Sequence, residues 1–156
     1  MRKLYLFAGT NGVGKSTLYL DGVGPSIENS VRINADEIAR EKGWDWRDPK
    51  TNAKALLLET KKLQKVLKTG QDINLETTLA GHEKTIVKLL GRIKKNNYQI
   101  VLLYVGVSSP DIAVERVKER VAKGGHGVPE ELIIKRYYES FDNFSRLINK
   151  FNSVKV

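Results

Sequence analysis

Gly9-Thr10-Asn11-Gly12-Val13-Gly14-Lys15-Ser16 matches the phosphate-binding loop (P-loop) pattern GxxxxGK[ST]. The apolar run directly before it, residues 4–8, is typical of a buried strand. In such a loop the glycines let the backbone turn sharply and point its N–H groups at a phosphate. The helix that follows presents its positive N-terminus to the same anion. We therefore expect a nucleotide-binding site in this segment.

The side chains of this loop predict what it binds. Lys15 is expected to reach the β- and γ-phosphates of ATP, and the Ser16 hydroxyl to ligate Mg²⁺. A glycine-rich turn that binds nothing is the alternative, and the preceding strand makes it the weaker one. The expected ATP-binding residues are Gly9, Asn11, Gly12, Val13, Gly14, Lys15, Ser16 and Thr17.

The composition narrows the class of protein. The chain has 156 residues, 40% of them hydrophobic, which suits one domain with a sizeable core. Cysteine is absent and the only histidines are His82 and His126, so disulfides and thiolate metal sites are excluded and a zinc cage is not expected. The apolar run before the P-loop is too short for a signal peptide or a membrane span, and we expect a cytoplasmic protein.

The chain is basic, with 27 basic and 18 acidic residues and a formal net charge of +9. This charge is compatible with a nucleic acid, an acidic membrane or a polyanionic small molecule as the partner. Lysines such as Lys61, Lys62, Lys65 and Lys68 lie on one predicted helix, where a solvated face is the simpler explanation. No basic stripe interleaved with aromatic residues is visible, so neither a membrane nor a nucleic acid is the expected partner.

Apolar runs alternate with helical patterns along the chain, which predicts a single α/β domain over residues 1–156 with a mostly parallel, five-stranded sheet. The fourth strand is apolar on both faces from Ile100 onward, which predicts a central position covered by helices on both sides. The predicted strands are 4–8, 31–34, 71–77, 98–105 and 153–156. The predicted helices begin near Ala35 and span 53–68, the stripe 86–93, 110–123 and a segment from 129 towards 148.

Carboxylates stand at the ends of the second and third predicted strands, the edge where an open α/β sheet places its working side chains. Asp36 lies at the start of a helix, so it is either an N-terminal cap or dipole partner, or a base that accepts a hydroxyl proton. Glu76 ends a buried strand and either forms a structural salt bridge or contacts substrate or metal. The fourth strand ends without an acidic residue, so no Walker B aspartate can be placed there.

Three arginines follow the fourth strand. Arg116 and Arg120 are four residues apart on one helix face, and Arg136 lies beyond the glycine-rich segment 124–127. A helical lid over residues 110–136 would bring these guanidinium groups over the phosphates, where they stabilise the transferring phosphoryl. Ordinary solvated positions are the alternative for each of them. His126, within the glycine-rich segment, is expected to be a solvated loop residue.

Four segments together resemble the zeta-toxin family of P-loop kinases: AGTNGVGKST, NADEIA, NLETTLAG and RVKERVAKGGHGVPEELIIKRY. The resemblance implies the fold of nucleoside monophosphate kinases, with ATP in the P-loop. It implies Asp36 as the general base, Glu76 and Thr77 in a substrate-contact segment, and Arg116, Arg120 and Arg136 in the lid. It also implies phosphorylation of the sugar of UDP-N-acetylglucosamine and an antitoxin partner. Toxins of this type usually have an arginine three residues after the base, where this chain has Ala39, followed by Arg40.

The sequence as a whole predicts a kinase that transfers the γ-phosphoryl of ATP to a hydroxyl of a small, anionic metabolite. Two alternatives stay open: an ATP-binding interaction module without phosphotransfer, and a polynucleotide kinase, which only the charge supports. Trp44 and Trp46 either stack on a substrate base or anchor a loop.

Overall fold

The computed structural model describes residues 2–20 and 24–156, and this part of the chain forms five strands, seven α-helices and one 3₁₀ turn. No helix within these residues is long and apolar enough to cross a membrane. In chain order the elements are β1 (Arg2–Ala8), α1 (Lys15–Leu20), α2 (Pro25–Glu28), β2 (Val31–Ile33), α3 (Ala35–Glu41), α4 (Pro49–Leu67), β3 (Ile73–Thr77), α5 (Glu83–Lys95), β4 (Tyr98–Tyr104), α6 (Pro110–Ala122), α7 (Glu130–Leu147), the 3₁₀ turn (Ile148–Lys150) and β5 (Ser153–Lys155).

The five strands form one sheet in the order β2-β3-β1-β4-β5, and all the pairings in the described residues are parallel. The predicted α/β fold with a parallel, five-stranded sheet is confirmed. The register places Thr77 beside Ala8 and Ile33 beside Leu75. Because the strands are parallel, the P-loop after β1 and the residues that follow β2 and β3 meet at one edge of the sheet.

The two faces of the sheet are covered unequally. Helices α4, α5 and α7 pack on one face and bury the main core, to which β4 contributes Ile100 and Leu102. The other face carries a smaller cluster under the short helices α1 and α2, and there Val101 and Leu103 of β4 are only half-buried. The fourth strand is therefore internal, as predicted, but β1 is the central strand and only one face of β4 is fully covered.

Helices α6 and α7 pack on each other around a small core of their own, formed by Ala113, Val114, Val117 and Ile133. This pair is joined to the P-loop by a close backbone approach at Gly12. A Cβ at Gly12 would overlap the carbonyl oxygen of Ala113, so only glycine permits helix α6 to lie this close to the loop. The predicted lid segment is therefore a packed unit that rests on the phosphate-binding loop.

Candidate active site

Lys15 is buried at the centre of the P-loop, with 7% of its surface exposed. Its ammonium group donates to the carbonyl oxygens of Gly9 and, at 3.2 Å, of Thr77. Burial lowers the pKa of Lys15 to about 8, although the negative charges of Glu76 and Asp36 oppose this change. Within the described residues no carboxylate forms a salt bridge with this amine. A buried cation with this weak compensation is well suited to receive the oxygens of a phosphate.

The carboxylate of Glu76, at the end of β3, accepts hydrogen bonds from three side chains. Arg32 and the Asn34 amide each donate to its Oε2 at 2.8 Å, and the Ser16 hydroxyl lies 3.1 and 3.2 Å from its two oxygens. Its side chain is only 11% exposed. The structural salt bridge that the sequence offered as one interpretation is thus present. A contact of Glu76 with substrate or metal stays a prediction, and the nearness of its carboxylate to Ser16 is consistent with it.

The Ser16 hydroxyl and the Glu76 carboxylate supply the type of ligand that Mg²⁺ prefers. Mg²⁺ takes oxygen ligands, keeps several waters and uses one or two protein groups together with substrate phosphates. No group of three or more His, Asp or Glu residues in the described residues is arranged to hold a metal on its own. The residues present therefore fit a metal that arrives with a triphosphate and is held by Ser16.

Asp36 lies in the first turn of α3 but does not cap it. The side chain of Asn34 accepts from the backbone N–H groups of Asp36, at 2.8 Å, and Glu37, at 3.2 Å, and so is the cap. The capping interpretation of Asp36 is wrong, because the short Asn34 side chain already occupies that position. The carboxylate does lie in the first turn of the helix, as the alternative of a dipole partner requires. The Asp36 carboxylate is 42% exposed and lines the same cavity of about 820 Å³ as Lys15 and Ser16.

The three arginines of the predicted lid all lie against the P-loop or its cavity. Arg116 donates to the Val13 carbonyl at 3.2 Å, and Arg136 donates to the Asn11 side chain at 2.9 Å. Arg120 lines the P-loop cavity, and its NH2 atom is buried without a hydrogen-bond partner in the described residues. The structure thus brings these residues to the expected place, and their role in phosphoryl transfer stays a prediction.

His126 is not the solvated loop residue that the sequence suggested. Its side chain is only 16% exposed, and its Nε2 lies 3.6 Å from Oδ1 of Asp36. The loop is pressed against Trp46, since a Cβ at Gly127 would overlap the indole ring. The cause of this burial is a tertiary contact: the loop between α6 and α7 docks on the segment after α3, which no local pattern indicated. Trp46 thus has an anchoring contact with this loop.

Glu59, on α4, is a site residue that the sequence reasoning missed. Burial raises the pKa of its carboxyl to about 7, the backbone N–H of Ala35 opposes this rise, and the charges of Asp36 and Glu76 add to it. Its Oε2 is buried and has no hydrogen-bond partner within the described residues. A signal was present, because Glu59 falls on the four-residue spacing of the buried stripe formed by Ala55, Leu63 and Leu67.

Glu59 opens onto a second, smaller cavity of about 100 Å³. This cavity shares Asn11, Lys15, Asp36 and Glu76 with the P-loop cavity and lies next to it. The residues that it adds are polar or acidic for the most part: Asn34, Ala35, Asn52, Leu56, Glu59, Thr77, Thr78 and Arg136. Carboxylates and amides of this kind are suited to hydrogen bonds with the hydroxyl groups of a bound molecule.

A third cavity, of about 700 Å³, lies on the other side of the P-loop and is mostly apolar. It shares Val13 and Leu18 with the P-loop cavity, and aromatic residues of α7 form part of its wall, namely Tyr137, Phe141 and Phe144. The P-loop therefore stands between a polar acidic cavity and an apolar aromatic one.

Comparisons with known proteins agree with this fold. A family model described as zeta toxin matches residues 2–156. An uncharacterised protein of Haemophilus influenzae is 30% identical over 141 residues, which are 86% of this chain and 92% of that protein.

A putative kinase of Chloroflexus aurantiacus has a TM-score of 0.67 at 19% identity, over 87% of this chain and 80% of that one. A structure from the PezAT chromosomal toxin-antitoxin system of Streptococcus pneumoniae has a TM-score of 0.72 at 16% identity, over 99% of this chain and 67% of that one. A chain of the Pnkp1/Rnl/Hen1 RNA repair complex has a TM-score of 0.71 at 17% identity, over 93% and 46% of the two chains.

Proposed function

Because the chain belongs to the zeta toxin family, we propose that it is an ATP-dependent kinase. It transfers the γ-phosphoryl group of ATP to a hydroxyl of a small molecule, with nucleotide sugars such as UDP-N-acetylglucosamine as the first class of acceptor to test. The observation that carries the proposal is the shared cavity, in which the Asp36 carboxylate faces the same space as Lys15 and Ser16 of the P-loop. Phosphoryl transfer needs this pairing of a phosphate cradle with a nearby proton acceptor.

The residues divide the reaction among them. The acceptor oxygen attacks the γ-phosphorus while its proton passes to Asp36, and the bond between the β-γ bridging oxygen and the γ-phosphorus breaks to release ADP. Lys15 and the lid residues Arg120 and Arg136 stabilise the negative charge of the transferring group. A Mg²⁺ ion held by Ser16 supplies further neutralisation of the phosphate oxygens when bound.

The two flanking cavities support binding of the nucleotide on one side of the P-loop and of the acceptor on the other. The apolar, aromatic cavity beside Val13 and Leu18 is suited to the purine base of ATP. The polar cavity with Glu59 and Asn52 is suited to an acceptor rich in hydroxyl groups, because its carboxylates and amides accept and donate hydrogen bonds. Sugars and polyols have this chemistry.

The test uses the purified protein, ATP labelled on the γ-phosphate, Mg²⁺ and a panel of acceptors: UDP-N-acetylglucosamine, other nucleotide sugars, nucleosides and an oligonucleotide with a free 5′-hydroxyl. We expect label on a nucleotide sugar, loss of labelling in Lys15→Ala, and normal labelling in Lys65→Ala, which removes an exposed lysine of α4. Label on no acceptor would leave an ATP-binding module without transfer. Label on the oligonucleotide alone would make the protein a polynucleotide kinase.

We further propose that a protein partner holds the kinase inactive, because one similar structure comes from a toxin-antitoxin system. Expression of this chain alone in a bacterial host is expected to slow growth, and Lys15→Ala is expected to remove the effect. Equal growth of hosts that express the wild type and Lys15→Ala would argue against a toxin. The labelling test would then still decide whether the protein is a kinase.

A further inference from the structure

His126 contacts both halves of the candidate site at once. Its backbone carbonyl accepts a hydrogen bond from Nε of Arg120 at 2.7 Å. Its imidazole Nε2 lies 3.6 Å from the Asp36 carboxylate on α3. One residue of the loop between α6 and α7 therefore joins an arginine of the phosphate cavity to the proposed base.

The loop that carries His126 is docked in place. Gly127 lies against the indole of Trp46, which belongs to the segment after α3, and the Arg47 guanidinium stacks over the same indole at 4.5 Å. Gly124 has φ 85° and ends α6 in a left-handed conformation, after which Gly125 donates its backbone N–H to the Arg120 carbonyl at 2.8 Å. Contacts before and after His126 therefore fix the loop in the position that places the imidazole beside Asp36.

The Arg120 guanidinium has a hydrogen-bond partner at one nitrogen and lacks one at another. Nε is bonded to the His126 carbonyl, whereas NH2 is buried and has no hydrogen-bond partner within residues 2–20 and 24–156. A buried donor of this kind is costly until an acceptor arrives. Arg120 also lines the P-loop cavity, so a small movement of its side chain would bring this donor to a phosphate oxygen of a bound nucleotide.

We propose that His126 is a positioning residue, which orients the Asp36 carboxylate only while the lid holds Arg120 over the phosphates. In the complex with an enclosed nucleotide, the neutral imidazole moves in from the 3.6 Å separation seen here and donates a hydrogen bond from Nε2 to Oδ1 of Asp36. The other carboxylate oxygen is left free to receive the acceptor proton. When the lid opens, the same movement withdraws the imidazole and the guanidinium. The base is then correctly placed only when a nucleotide is enclosed. This inference rests on the proposed kinase function.

The charges around His126 agree with a neutral imidazole near pH 7. Burial lowers the pKa of His126, the Asp36 charge opposes this, and Arg120 and Arg40 add to the lowering. Protonation at lower pH would convert the contact into an ion pair, which weakens Asp36 as a proton acceptor. Turnover is therefore expected to fall on the acid side as His126 gains its proton.

The first experiment needs no acceptor. The chain has two histidines, and His82 is exposed, so the ring signals of His126 and a solvated control can be followed together by NMR during a pH titration. The sample is the protein with Mg²⁺ and a non-hydrolysable ATP analogue, as wild type and as Asp36→Asn. We expect the pKa of His126 to fall in the variant, since an opposite charge nearby is removed, with the ring signals of His82 as the internal reference for sample conditions. An unchanged pKa of His126 would overturn the contact, whatever the protein phosphorylates.

The second experiment compares His126→Gln, whose side-chain amide can still donate to Asp36, with His126→Leu, which cannot. The acceptor is UDP-N-acetylglucosamine or whichever panel compound the wild type labels. We expect His126→Leu to lower kcat between about 10- and 100-fold with KM for ATP nearly unchanged, and His126→Gln to restore most of the loss. Normal kcat in His126→Leu, or equal losses in both variants, would overturn the positioning role. If the wild type labels nothing, the proposed function fails while the NMR result still decides the contact.

Discussion

Replacing Glu59 with glutamine is expected to make the protein more stable at neutral and alkaline pH. The carboxyl has its pKa raised from 4.5 to about 7 by burial, and its Oε2 has no partner within the described residues. A carboxyl with a raised pKa holds its proton in the native state between these two values, whereas the unfolded chain has already released it. The free energy of unfolding therefore falls as the pH rises from about 4.5 to 7.

The size of the effect follows from that shift. At 1.36 kcal/mol per pKa unit, ionised Glu59 destabilises the native state by about 3 kcal/mol at pH 8. The glutamine has no charge, but its amide N–H₂ group enters the same unpartnered space, which costs about 1 kcal/mol or more. The net gain at pH 8 is then about 1–2 kcal/mol. For a chain of this length each kcal/mol raises the melting temperature by about 2–4 °C.

The assay is thermal unfolding of wild type and Glu59→Gln at pH 4.5 and pH 8, with Glu115→Gln as a control that changes an exposed carboxylate, 68% accessible. We expect a higher melting temperature for Glu59→Gln at pH 8, a slightly lower one at pH 4.5, where only the cost of the amide remains, and little effect of the control at either pH. A Glu59→Gln protein that is less stable at pH 8, or equally shifted at both pH values, would refute the argument that burial raises this pKa.

Other substitutions test the site itself. Asp36→Asn should lower turnover on the order of 10²–10⁴-fold, while ATP affinity and melting temperature stay nearly constant because Asn34 keeps the helix cap; near-normal turnover would remove Asp36 from the mechanism. Arg120→Ala should lower kcat more than it raises KM for ATP, since a charge-stabilising arginine acts mainly in the transition state; equal changes in steady-state kinetics would indicate a binding role only. Gly127→Ala should displace the lid loop from Trp46 and destabilise the protein by about 1–3 kcal/mol in urea unfolding, and an unchanged midpoint would show that the loop is not docked.

The parts of this molecule that the sequence predicts well are those that depend on local pattern. The P-loop has a fixed spacing, and the strands are short apolar runs with turn residues between them, so the sheet and the position of Lys15 follow directly. The sequence predicted correctly that Asp36 lies at the carboxyl ends of the strands, but not whether its side chain caps α3. That choice depended on which of two nearby side chains, Asn34 or Asp36, reached the free N–H groups.

Glu59 and His126 escaped the prediction for a different reason. Glu59 lies on a helix with many exposed lysines, and its burial comes from packing of α4 against α3 and β2 rather than from its neighbours in sequence. His126 lies in a glycine-rich segment that is typical of a solvated turn, and only the docking of the lid on Trp46 brings it to Asp36. Contacts between segments far apart in the chain leave no period or spacing to detect.

Asn34 limits how this site can change in evolution. Its side-chain oxygen accepts from two backbone N–H groups of α3, and its nitrogen donates to Glu76 at 2.8 Å. As a helix cap alone, aspartate or serine would serve about as well. Aspartate, however, would place a second negative oxygen against Glu76, and serine is too short to satisfy both partners. Several residues could cap α3, and several could donate to Glu76, but only asparagine does both. Most substitutions at Asn34 are therefore expected to disturb the site, so this position can change little in evolution.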